Sequence, residues 1–287
     1  MVTAEGIESA YTAWAQANDD VRAAFVVGSR ARVDHPADAW ADLDIIMFAR
    51  NADRYHETID WIRAFAPVWI ALSGRTAGGD PERLVLFQGG LQVDFVFHPD
   101  AHLAGLPQFL ASGPLPDDIV RGTRVLVDKE GVLTQLPPPG QPATPQPPDP
   151  AAFRRALDGF WFAAVYAAKQ LRRGELWPFQ NASSGMTGDL LQMVAWHACA
   201  LSGGDCDTWH GGKFVAEWAG DGVYDDLQGV FARLEVEDGR RAMHVRMALF
   251  SRLAREVATQ LGLPYPSELE QQITATVNRI IDGQEQA

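Results

Sequence analysis

Between residues 135 and 150 the chain reads QLPPPGQPATPQPPDP, and half of these positions are proline. Proline has no amide hydrogen and a fixed φ, so neither a helix nor a strand continues through such a run. The stretch reads as a semi-rigid linker or a long ordered connection, and this 287-residue chain divides there. The expected organisation is a domain over 1–136, a Pro-rich linker over 137–148 and a second domain over 149–287.

The two halves differ in hydrophobic period. Before the linker, short β-like runs (AAFVV, LDIIMF, VWIAL, RLVLF, LQVDFVF, RVLV) alternate with helical spacing, as in ADRYHETIDWIRAFA, where Tyr55, Ile59, Ile62 and Phe65 share a face. RLVLFQGGLQVDFVF reads as a hairpin turning at Gly89-Gly90, with Leu91, Val93, Phe95 and Phe97 on one face and Gln92, Asp94 and Val96 on the other. After the linker every segment is helical. Asp149-Pro150 reads as an N-cap and first-turn proline opening AAFRRALDGFWFAAVYAAKQLRRG, and TGDLLQMVAWHACAL, KFVAEWA, DDLQGVFARL, RRAMHVRMALFSRLAREVATQLG and SELEQQITATVNRIID follow. No repeat period occurs. The expectation is an α+β protein, a mixed-sheet domain followed by a helical bundle.

The first half carries an anomaly in LDIIMF, because the apolar run is entered through Asp42 and Asp44. Residues two apart on a strand project from one face, so the two carboxylates can share a divalent cation, and an all-oxygen donor set suits magnesium. A D-x-D pair alone also fits two solvated aspartates at a strand entrance. The upstream residues shift that balance. Gly28 and Ser29 follow the strand AAFVV, and such a turn lets backbone amides approach a phosphate, with Arg30 placed to reach the same anion. Asp94 is a third carboxylate in an apolar strand. Together the three can hold two metal ions, with Asp94 the candidate general base toward an attacking hydroxyl.

Charge and cysteine usage narrow the function classes. The formal net charge is −13, which argues against a broad nucleic-acid footprint, and the acid is concentrated before the linker. Such a balance suits a cationic small substrate. No run is long enough for a membrane span, and the start MVTAEGIESAYTAW lacks the parts of a secretory signal, so the expected location is the cytoplasm. The two cysteines, Cys199 and Cys206, indicate neither a disulfide framework nor a thiolate metal site. His98 and His102 are four apart, but Pro99 prevents a helix from aligning them. Only Lys129, Lys169 and Lys213 are lysines among 24 basic residues; Lys169, beside FWFAAVY, is a candidate phosphate contact if it is not simply solvated.

These residues resemble the nucleotidyltransferase superfamily related to DNA polymerase beta, with GSRARVDHPADAWADLD as the glycine-serine and paired-aspartate signature and VDFVF as the third-aspartate strand. FWFAAVYAAKQLRRGELW, DLLQMVAWH, GGKF and FSRLAREVATQLGLPYPSELEQQITATVNRII further resemble parts of the aminoglycoside 6-adenylyltransferase (streptomycin adenylyltransferase) family, in order and over most of the chain. The resemblance implies magnesium-dependent transfer of AMP from ATP to a hydroxyl of a cationic aminoglycoside such as streptomycin. By position Gly28, Ser29 and Arg30 would cradle phosphates, Asp42 and Asp44 would bind magnesium, and Asp94 would complete the metal site or activate the acceptor. PFQNASSGMTG (178–188) carries no charged residue, a departure from what a streptomycin site would call for.

Asp189, read as lying in the first turn of a helix DLLQMVAWH, is the candidate substrate carboxylate; an acid that merely complements the helix dipole would sit at the same place. A Pro-rich join between two domains makes their boundary a natural small-molecule site. Two rivals remain. A D-x-D glycosyltransferase is disfavoured by the Gly-Ser spacing and the early position of the motif, and a nucleotide-binding regulator without turnover by the presence of all three carboxylates. Transfer to another small hydroxyl-bearing acceptor also stays open.

Overall fold

The computed structural model describes residues 2–220 and 222–283. The chain divides into two compact units, residues 1–143 and 144–287. Among the described residues no helix is long and apolar enough to cross a membrane.

The first unit opens with a helix that the sequence reading did not single out, α1 (Ala4–Ala17), capped by Thr3, whose Oγ1 accepts the Gly6 amide at 3.1 Å. Six strands follow: β1 (Val21–Val27), β2 (Leu43–Ala49), β3 (Val68–Arg75), β4 (Pro81–Phe87), β5 (Gln92–Pro99) and β6 (Arg124–Asp128). They form one sheet in the order β3-β4-β5-β2-β1-β6. The central β2–β5 pair is parallel and every other pair is antiparallel. The hairpin is as expected, since Gly89 and Gly90 take φ of 99° and 94° between β4 and β5.

The period of two divides the sheet into two faces. Ala24 and Val26, Leu43, Ile45 and Met47, and Val93, Phe95 and Phe97 are buried in a core with Ile7 and Tyr11 of α1. The helical stretch after β2 forms two short helices rather than one, α2 (Ala52–Glu57) and α3 (Asp60–Arg63). The break is at Thr58, which is extended, and the Trp61 indole donates to the Tyr55 and Thr58 carbonyls at 3.1 Å, satisfying groups the break releases. Tyr55 and Ile62 still enter this core, as their spacing requires.

The opposite face carries Phe25, Val27 and Phe48, which pack with Leu103, Leu106 and Leu133. Leu106 begins α4 (Leu106–Ala111), and α5 (Asp117–Val120) follows before β6. Residues 136–149 form no helix or strand, and the Gly140 amide donates to the Val120 carbonyl at 2.8 Å.

The second unit is all helical: α6 (Pro150–Arg172), α7 (Leu176–Leu201), α8 (Val215–Trp218), α9 (Val223–Gln228), α10 (Val236–Leu261) and α11 (Ser267–Asp282). The protein is therefore α+β. Asp149 caps α6 by accepting the Ala152 amide at 2.6 Å. Helix α7 starts well before the TGDLLQMVAWHACAL pattern. Its first half has two glycines and a serine pair, poor helix formers, yet Phe179, Ser183 and Met186 are buried, so tertiary packing overrides propensity. Cys199 and Cys206, which by their number indicated no disulfide framework, form a single disulfide with Cα atoms 5.1 Å apart, because the chain turns back after α7 through Gly203 and Gly204, at φ of 68° and 94°. It is one local link rather than a framework.

Phe160 of α6 and Phe250 of α10 stack with ring centroids 3.6 Å apart, and both are fully buried. Phe250→Ala should lower the stability of the helical unit by about 3–5 kcal/mol, read from urea denaturation followed by far-UV circular dichroism. A loss below 1 kcal/mol would show that this stack is not central to the bundle.

Candidate active site

Parallel pairing of β2 with β5 places Asp44 directly opposite Asp94, and Leu43 opposite Val93. Asp42, expected on the strand with Asp44, instead immediately precedes β2, and its carboxylate still reaches the other two. One oxygen from each of the three carboxylates lies within 4.8 Å of the others, in half-buried surroundings. Hard oxygen donors at this separation fit a divalent ion of the magnesium or manganese type.

Next to Asp44, the end of β1 turns at Gly28, which has φ of 72°. A Cβ at this position would lie 2.5 Å from Asp44 Oδ2, so both backbone conformation and space require glycine. The residues Gly28–Arg30 form a single 3-10 turn. Ser29 Oγ is buried and has no hydrogen-bond partner among the described residues. An orphaned hydroxyl beside a glycine turn is the type of group a phosphate oxygen would satisfy. Arg30 donates to the Asp42 carbonyl at 3.0 Å and to the Ala41 carbonyl at 2.8 Å, and pairs with Glu5 at 3.4 Å. Its guanidinium fixes the backbone that presents Asp42.

The carboxylates open into a cleft of about 990 Å³ on the Phe48 face of the sheet. Its floor is apolar, with Phe25, Ile46, Phe48 and Val96, and α4 and α5 contribute Leu106, Phe109 and Ile119. Its carboxylates are Asp44, Asp80, Glu82, Asp94 and Asp118, and no lysine or arginine is among the described residues that line it. Burial lifts the Asp94 carboxyl from an ordinary 3.8 to about 6; Gln92 opposes this from 3.4 Å, while the charges of Asp42 and Glu82 add to it. His98, two positions further along the same strand face than Val96, stacks on Phe48 at 5.2 Å and pairs with Asp80 at 3.6 Å. Its ring lies 5.7 Å from that of His102, so the fold brings the two histidines together from β5 and the 3-10 turn that follows it rather than from one α-helix.

The remaining candidates lie in the helical unit. Asp189 is not in a first turn, because α7 begins at Leu176; a role as partner of the helix dipole is thereby removed. It sits against α6, where a Cβ on Gly159 would lie 3.1 Å from its Oδ2, and burial raises its carboxyl above the ordinary range. Lys169 is exposed in the last turn of α6, beside a depression lined by Asp158, Trp161, Phe162 and Tyr166. Sequence reasoning missed Asp80, Glu82 and Asp118. Each is an ordinary surface acid by local pattern, and only the folded sheet and the α4–α5 segment turn them toward one cleft.

A mixed sheet that gathers three aspartates beside a glycine-serine turn defines the nucleotidyl-transferring class of enzyme. Comparison with known proteins places it further: the profile of the family described as streptomycin adenylyltransferase matches residues 1–280, and the chain belongs to that family. It is an adenylyltransferase. The aminoglycoside 6-adenylyltransferase of Bacillus subtilis (strain 168) is 22% identical over 259 residues, spanning 87% of this chain and 88% of that protein. The enzyme of the same name from Campylobacter jejuni is 24% identical over 260 residues, spanning 88% and 87%. A crystal structure of an aminoglycoside 6-adenyltransferase from Bacillus subtilis aligns over 97% of this chain and 99% of its own, at 17% identity and a TM-score of 0.47.

Two consequences follow from the geometry. Gly28→Ala should cut turnover by about 10²-fold by displacing Asp44, with the fold retained by circular dichroism; undiminished turnover would mean that the close approach is not needed. The second concerns Asp94 in metal-free protein. Its carboxyl is raised, so the charged form weakens the folded state above about pH 6, and the penalty fades as pH falls from there and is lost below 3.8, where folded and unfolded chains are both protonated. Asp94→Asn removes that penalty. Allowing for solvent around a part-exposed group, it should stabilise the unit by about 1–2 kcal/mol at pH 8 and by much less at pH 4, in urea titrations with chelator present. A difference independent of pH would refute the assignment.

Proposed function

We propose that the protein transfers AMP from magnesium-bound ATP to a hydroxyl of an aminoglycoside such as streptomycin, releasing pyrophosphate, and that it does so in the cytoplasm. The observation that carries this is the Asp42, Asp44 and Asp94 cluster against the Gly28 turn, in a chain of the streptomycin adenylyltransferase family whose relatives are named for aminoglycosides.

In this reading the Gly28 and Ser29 backbone and the Ser29 hydroxyl hold the phosphates, with the Arg30 charge close by. Asp42, Asp44 and Asp94 are the residues that would hold the divalent ion, which when bound supplies positive charge against the phosphates. The acceptor oxygen attacks the α-phosphorus, the bond from that phosphorus to the pyrophosphate oxygen breaks, and the acceptor proton passes to Asp94. Alignment of the attacking hydroxyl and neutralisation of charge contribute most of the rate in such a transfer. From the helical unit we assign Lys169 to the nucleotide phosphates and Asp189 to a cationic group of the acceptor.

Purified protein with MgATP and streptomycin should release pyrophosphate and add one AMP to the antibiotic, seen as a single mass increment. Streptomycin inert while another hydroxyl acceptor is adenylylated would overturn the acceptor and keep the chemistry; no pyrophosphate release over a panel of acceptors would overturn both. Asp42→Asn and Asp44→Asn should each lower kcat by several orders of magnitude with folding retained.

The helical residues separate by substrate. Lys169→Ala should raise the Kd for MgATP, and Asp189→Asn should raise the KM for the acceptor more than that for ATP. An unchanged nucleotide Kd would return Lys169 to the role of a solvated helix lysine.

A further inference from the structure

We propose that Glu82 is a positioning residue that pairs with an ammonium or guanidinium group of the acceptor and thereby sets its hydroxyl beside Asp94. This rests on the reading of the acceptor as a polycationic aminoglycoside.

The register of the sheet places Glu82. On β4, Leu84 is opposite Asp94 and Glu82 is opposite Val96, so Glu82 and Asp94 are diagonal neighbours on one sheet face. Such neighbours are about 7–8 Å apart. An amino sugar presents a charged nitrogen and a hydroxyl at a comparable reach, so one ring can meet both carboxylates.

The surroundings of Glu82 make room for it and leave it uncompensated. A Cβ on Gly74 of the adjacent β3 would lie 2.8 Å from Glu82 Oε1 and 3.1 Å from its Cγ. Gly74 does not take a positive φ, so its missing side chain serves space rather than backbone freedom. Glu82 is half-buried, and its side chain has no hydrogen bond or ion pair among the described residues, its backbone being paired in the sheet. The neighbouring Asp80 is engaged by His98, and no lysine or arginine lines the cleft among the described residues. A part-buried carboxylate next to other carboxylates costs free energy unless a cation meets it. Asp42, Asp44 and Asp94 already share the place where a metal ion fits, and Glu82 is outside that group. The cation that suits Glu82 is therefore one carried by the acceptor.

The test compares wild type with Glu82→Gln, which keeps shape and removes charge, and Glu82→Asp, which keeps charge and shortens the reach. Steady-state kinetics are read against streptomycin and against the other cationic aminoglycosides that the wild type adenylylates, with ATP varied separately. Glu82→Gln should raise the acceptor KM at least tenfold, leave the ATP KM within twofold and flatten the dependence of acceptor kcat/KM on salt. Glu82→Asp should recover part of the loss. An unchanged acceptor KM, an equal rise in both KM values, or a fall in kcat alone would overturn the assignment. If the wild type adenylylates no cationic acceptor, the acceptor reading fails with it, and that case is recognised from the wild type before any variant is compared.

Discussion

Asp44 and Asp94 stand opposite each other because β2 and β5 pair in parallel, and the rest of the α/β unit can be read as what makes that confrontation tolerable. Three carboxylates with oxygens inside 4.8 Å repel one another. The pairing is held from the other sheet face, where Leu43 and Ile45 of β2 and Val93 and Phe95 of β5 are completely buried. Strand alternation links the two faces: the residues that bury the strands are the neighbours of those that project the acids. A shift of one residue in register would put the carboxylates into the core and the apolar side chains into the cleft.

The unit meets this electrostatic cost with a division of labour between neighbours. Arg30 holds the carbonyls of Ala41 and Asp42 and so fixes where the first acid leaves the backbone. Gly28 gives Asp44 the space that any side chain would occupy. Asp94 bears the consequence of burial, as a carboxyl moved toward neutrality. A site organised in this way is costly without its ligands and favourable with them, which is the general behaviour of binding sites assembled from like charges.

Much of this was legible along the chain, and the legible parts share one property. The β4–β5 hairpin, the apolar strand entered through Asp42 and Asp44, and the Asp149 cap each depend on residues within a few positions of one another. The failures depend on distance. The stretch after β2 has a helical period through Ile59, yet it breaks where Trp61 can satisfy the carbonyls of Tyr55 and Thr58. The first half of α7 has a weak helical composition and is helical because Phe179 and Met186 are buried. The position of Asp189 changed with it, from a helix start to a helix middle.

The sequence by itself determined the alternation of apolar and polar residues, and with it the strand that carries Asp44, with Asp42 at its entrance, and the glycine turn before it. Those features follow from backbone periodicity and from the conformations open to glycine and proline. Only the tertiary structure decided that Asp94 faces Asp44, that Glu82 lies diagonal to Asp94, and that His98 engages Asp80. Strand order and register are set by how whole faces pack, and no local pattern records which strand will lie beside which.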